Sequence, residues 1–378
     1  MQAENLPFRR ALEILPQLGV DEYRKALTER EAALVAVLLR QPDVAEQVLT
    51  GIQNYTAPST VAETVLVAWD TVPTDRLRQW VGLGAEKMRL MVGRESGEAT
   101  RQLLSLWTLL NRQPSASSSL PPNLGAESPQ LMREFDRLVD PPWWSSLWSR
   151  LLPRSRWAEL AASHTGEEKK TWKEKRMADG FTARLLLAEA LRRNRLGERF
   201  PESWVSFAVG GMDAVSFNSD PSRIASSWYR LILAMDVSAA PQAAERLRIL
   251  LAQNAPTAFG SYEAARFAAW ACGPDGAGRG ELVASLGDLV ARVDKHLNDY
   301  ERMLVYPQLG AAYALLGDQA AAGPLFASAL RLAEENRDPE SKRIGLIRLN
   351  LGLALGAVAP TAADLARMRK VQADADQG

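Results

Sequence analysis

The chain has 378 residues, 47% of them hydrophobic, with 45 Lys plus Arg set against 45 Asp plus Glu. That apolar share can fill a large core, and the length predicts two or three domains or one extended repeat array. The formal net charge of zero excludes the long-range field that would draw the chain to nucleic acid or to an anionic membrane.

Side-chain scarcity narrows the chemistry further. One cysteine, Cys272, excludes an intramolecular disulfide and a multi-cysteine metal site, and is expected to be a buried small hydrophobe. Two distant histidines, His164 and His296, exclude a His-rich metal site. The longest apolar tract, IGLIRLNLGLALGAVA, is interrupted by Arg348 and Asn350 and is too short and too polar for a bilayer span. The opening MQAENLPFRRALEIL has no secretory apolar run, so a soluble cytoplasmic protein is expected, without membrane association.

Along the chain, nearly every segment carries a helical period. Helices are expected over 7–16, 21–40, 42–54, 61–71, 74–92 and 96–112. Thr28-x-x-Glu31 and Thr60-x-x-Glu63 read as capping boxes that open two of them, and Thr165-x-x-Glu168 reads the same way further on. Residues 1–112 are expected to form an N-terminal helical domain. The Ser/Pro-rich stretch 113–128 reads as a flexible linker, accessible to proteolysis. A Trp-rich helical segment follows over 129–178, with Ser128-Pro129 as an N-cap and first-turn proline.

That segment holds PPWWSSLWSRLLPRSRW. As a helix over 143–152 it places Trp144, Leu147, Trp148 and Leu151 on one face, with Trp143 at the edge. Three uses compete: a packed core, a partner anchor built on Trp and Arg, and a membrane-surface helix. Trp143, Trp144 and Trp148 are the candidate partner-binding residues of this segment.

Helices continue over 181–195, 202–214, 221–236, 240–253, 261–272, 280–297, 299–316, 319–335, 339–357 and 361–373, with a possible hairpin within 203–217. GPDGAGRG lacks the Gly-Lys-Ser/Thr ending of a phosphate loop and reads as a connection between helices. Within 303–336, Leu309-Gly310 is followed by Tyr313, Gly317, Ala322, Phe326 and Ala329. Gly310, Ala322 and Ala329 are small where two antiparallel helices would cross, Tyr313 and Phe326 are space-fillers, and Gly317 is a helix stop. These residues and spacings resemble one tetratricopeptide repeat (TPR). The sequence departs from the family pattern at Glu334, where the closing proline is usual, and at Tyr306, where a Trp is usual. Pro307 is expected at the start of the first helix, where it is tolerated.

A lone repeat cannot bury its faces. The fold expected is therefore all-α, built of helical hairpins, with a TPR-like α-solenoid over 181–373; a compact bundle holding one repeat-like hairpin is the alternative. The resemblance implies recognition of another protein or peptide on the concave face, with Gln308, Ala312 and Leu315 as candidates. No His-Glu-x-x-His, Gly-x-Ser-x-Gly, Walker loop or paired Cys-x-x-Cys occurs. The charged runs Glu167–Arg176 and Arg184–Arg199 read as solvated helix faces, so nucleic acid is not an expected partner. The function expected is a non-enzymatic interaction scaffold or adaptor, needing no cofactor or metal. The alternative is a regulatory subunit, inhibitor or proteolytic target in a larger assembly.

Overall fold

The computed structural model describes residues 6–19, 21–54, 56–90, 97–111, 259–276 and 278–377, together with 181, 185, 188, 189 and 192. Every regular element among them is helical. Contacts divide the chain into two units: Met1–Leu39 with Asp220–Gly378, and Arg40–Ser219. This division differs from a single N-terminal domain over 1–112, because the first two helices pack with the C-terminal ones. Sequence periodicity marks helices but carries no record of which distant helix each one meets.

In the first unit, α1 (Leu6–Ile14) runs into a 3₁₀ turn, Leu15–Gln17, and α2 spans Glu22–Leu38. After them come α7 (Phe259–Cys272), α8 (Arg279–His296), α9 (Asp299–Leu315), α10 (Gln319–Glu335), α11 (Pro339–Leu355) and α12 (Ala362–Asp376). The second unit contains α3 (Pro42–Gly51), α4 (Ala57–Ala68), α5 (Thr74–Leu90) and α6 (Gly97–Asn111), where α4, α5 and α6 pack mutually. Trp69, Leu77, Trp80 and Leu103 are buried there. The Lys87 ammonium donates to the Thr50 and Ile52 carbonyls and so closes the C-terminal end of α3. Trp69 Nε1 donates to the buried Glu189 carboxylate at 2.8 Å, and Arg192 clasps the same carboxylate.

The start signals fall elsewhere than expected. Thr28 lies inside α2, where its hydroxyl donates to the Arg24 carbonyl, and the N-cap is Asp21. Thr60 likewise lies inside α4. Capping boxes close α9 (Asn298 with Glu301) and α12 (Thr361 with Asp364). A Thr-x-x-Glu spacing also occurs inside any amphipathic helix, so it marks a start only where the preceding residues break the period. Cys272 ends α7 half-buried rather than fully buried. The loop around GPDGAGRG is a helix connection, with Gly273 and Gly278 at φ 69° and 87°.

Helix α9 is longer than the repeat pattern suggests. It begins at Asp299, so Pro307 stands in its interior instead of its first turn. The close approach there is made by glycines of α11. A Cβ on Gly352 would stand 2.6 Å from the Pro307 carbonyl oxygen, and one on Gly356 2.8 Å from the Ala314 Cβ. Helices α9 and α10 pack together as a hairpin. A Cβ on Gly310 would meet the Phe326 ring at 3.0 Å, and Ala322 and Ala329 are buried. Gly317, at φ 78°, stops α9 as a Schellman motif: the Asp318 N–H donates to the Tyr313 carbonyl and the Gly317 N–H to that of Ala314.

Candidate functional site

Helices α7, α9 and α11 are the first members of three successive hairpins, and α9 packs against both of the others. The surface these three share is the one on which the TPR resemblance places a bound peptide. In this chain α2 lies on it. Arg24 sits 5.0 Å over the ring of Tyr300, at the start of α9, and pairs at the rim with Asp338. About two turns on, Arg30 makes a bidentate pair with Glu263 of α7, both bonds 3.0 Å. Glu31 takes a 2.6 Å hydrogen bond from Arg266 of α7 and pairs also with Arg348 of α11. One carboxylate thus ties α2 to both α7 and α11.

The electrostatics of this cluster follow from burial. Arg266 and Glu31 are 1% and 4% exposed as side chains. Loss of water pushes the Arg266 guanidinium down to about 10, with Glu263 opposing and Arg30 reinforcing the shift. Burial, with Arg30 adding to it, pushes Arg348 down to about 9. Both remain cationic at neutral pH. Among these residues, two guanidinium groups (Arg266 and Arg348) share the one Glu31 carboxylate, while Arg30 pairs with Glu263. The cluster therefore depends on Glu31 as the shared anion and acts as a clamp for α2.

The packing of α2 is equally decisive. Every residue from Ala32 to Leu38 is buried, which is the pattern of a helix covered on all sides. The candidate docking residues on α9 are covered too: Gln308 is 5% exposed and Ala312 0%. Both are buried within the packed unit. Leu315 is half-buried at the end of α9. Trp143, Trp144 and Trp148 lie outside the described residues, as do the linker 113–128, the segment 129–178 and His164. His296 is exposed at the C-terminal end of α8.

A second feature lies where α1, α11 and α12 meet. A pocket of about 210 Å³ is lined there by Arg10, Asn350, Met368 and Arg369, with Glu13 and Gln372. Asn350 is 1% exposed; its Nδ2 donates to the Leu346 carbonyl at 2.8 Å, and its Oδ1 has no partner among the described residues. A buried amide oxygen left in this way costs about 1–3 kcal/mol. The Arg10 Nη1 is also shielded from solvent without a hydrogen-bond partner.

Neither cluster was chosen from the sequence, although a signal existed. Arg348 and Asn350 interrupt the longest apolar tract, and Glu31 heads a continuous apolar run. Polar groups in such places are buried with a purpose or a partner. Among the described residues no group of three or more His, Cys, Asp or Glu is placed to hold a metal ion, and no helix is long and apolar enough to cross a membrane. No family model, curated protein or solved structure matches the chain.

Proposed function

We propose that the protein is a non-enzymatic cytoplasmic scaffold that binds another protein through its C-terminal helical hairpins. The observation that carries this reading is the α9–α10 hairpin. Its close-packing residues Gly310, Gly317, Ala322, Phe326 and Ala329 occupy the TPR spacings and do the packing work those spacings require. With α2 on the shared surface of α7, α9 and α11, the partner meets the solvent side of the array. On α10 that side carries Ala320, Gly323, Pro324 and Ala327, all exposed and spaced three and four apart. Small side chains at that spacing let a partner approach the helix closely.

The test is isolation of the tagged full chain from its own host, followed by native mass measurement of what remains bound. A protein partner at fixed stoichiometry is expected, and Ala327→Arg is expected to release it without lowering the Tm of the free chain. A chain recovered alone contradicts the scaffold reading. A partner retained by Ala327→Arg contradicts the α10 surface.

A further inference from the structure

We propose that α12 is an exchangeable helix: two copies of this chain trade it and form a dimer in which each α12 fills the other copy's seat. Helix α12 lies against α10 and α11. Of its 15 residues only Met368, Val371 and Ala375 are buried, a narrow seam at steps of three and four. The rest of its hold is ionic. Arg367 donates to both Glu334 carboxylate oxygens on α10, at 2.8 and 2.6 Å. On α11, Lys342 pairs with Asp374, and Arg343 pairs with Asp376 and donates to the Ala375 carbonyl. A void of about 210 Å³ is left at this seat, lined by Met368, Arg369 and Gln372 of α12 and by Arg10, Leu346 and Asn350 of the helices it meets. A seat packed like a protein interior leaves no such space.

The seat does not tolerate exposure. Helix α11 is buried at 344–347 and throughout 349–355, so departure of α12 brings part of that apolar surface into water until another helix covers it. The helix that fits is α12, and a second copy of the chain brings an identical one. Its apolar seam, its cation and its two carboxylates then meet the same partners as before. The exchange keeps those contacts and changes only the connection, residues 356–361. That connection favours opening. It holds Ala357 at φ 52°, a left-handed conformation that is strained for a residue with a Cβ. A short hinge under strain invites exchange, and an opened hinge lets Ala357 return to negative φ. The exposed α10 residues of the scaffold surface take no part, so the inference stands apart from that reading.

The experiment mixes two full-length variants, Glu334→Arg and Arg367→Glu. These side chains are 28% and 40% exposed, so neither change disturbs the core. Each variant alone sets like charges together in its closed form. In an exchanged dimer of one with the other, both seats regain a pair of opposite charge. Native mass measurement follows each variant alone and their equimolar mixture, after incubation a few degrees below the Tm. A one-to-one heterodimer is expected in the mixture, at about tenfold the dimer level of either variant alone. The reciprocal pair Lys342→Glu and Asp374→Lys is expected to behave in the same way. Ala357→Gly placed in both chains is expected to weaken the heterodimer by about tenfold, because the closed hinge is then unstrained. A dimer formed without exchange leaves the hinge closed and does not respond to that change. The proposal is overturned if the mixtures hold no more dimer than the separate variants, or if Ala357→Gly leaves the heterodimer as tight.

Discussion

Ala357 holds a left-handed conformation, φ 52°, at the end of α11, although it carries a Cβ. The Val358 N–H donates to the Leu353 carbonyl and the Ala357 N–H to that of Ala354, the same Schellman closure that Gly317 makes after α9. The glycine stands one residue earlier, at Gly356, because a Cβ there would lie 2.8 Å from that of Ala314. Packing has taken the glycine, and the helix stop bears the strain. Ala357→Gly is therefore expected to stabilise the protein by about 1 kcal/mol, read as a higher urea midpoint with unchanged slope. Glu31→Gln acts in the other direction, because it leaves Arg266 and Arg348 buried without their shared anion. A loss of about 3–5 kcal/mol is expected in the same assay. Two carboxyls at the rim set an acid dependence. Arg367 hydrogen-bonds Glu334, and the Ser341 hydroxyl hydrogen-bonds Asp338, each holding its carboxyl below the ordinary 4.5 and 3.8. The unfolded chain then binds protons that the folded chain refuses. Stability present above those ordinary values is lost as pH falls through the lower folded ones. A Glu334→Gln, Asp338→Asn double variant is expected to show a flatter fall of Tm below about pH 4 than the parent.

At the scale of the element, the crossing of α9 and α11 rests on glycines of unequal consequence. A Cβ on Gly352 would stand 2.6 Å from the Pro307 carbonyl oxygen, a backbone atom that moves only with its helix. A Cβ on Gly345 would stand equally close to the Met303 Sδ, on an adaptable side chain. Gly352→Ala is expected to cost about 2–3 kcal/mol and Gly345→Ala about 1 or less, a contrast that equilibrium denaturation resolves. The helices themselves were legible in the sequence because period, caps and stops agree locally. The expected 319–335 coincides with Gln319–Glu335, and 299–316 ends one residue beyond α9. The hairpin of α9 and α10 was legible for the same reason. The surroundings of α9 were not. Gln308 and Ala312 fall on the helix face that a repeat array leaves open, and no local pattern reveals that both are buried within the unit. The pocket between α1, α11 and α12 was hidden likewise, because Arg10, Asn350 and Arg369 come together only through the packing of α1 and α12 on α11.

Taken as a whole molecule, the chain uses its N-terminal helices to complete a unit that its C-terminal hairpins begin. In a repeat array open on one side, the helix seated on that side exchanges with solvent and with competing peptides. Here Ala32 to Leu38 are buried on every side and Glu31 is locked between two guanidinium groups. Undocking α2 exposes the apolar surface of the unit's interior, so it coincides with unfolding of that unit. On the proposed scaffold reading a partner binds the solvent side of the hairpins, and that reading depends on this sealing. Hydrogen–deuterium exchange of the full chain measures it most directly. The backbone amides of residues 30–38 are expected to exchange only as fast as those of α9 and α11, at the rate of global opening. Exchange of α2 well ahead of α9 and α11 would contradict the account, since it would show a helix docked on the array in place of one built into it.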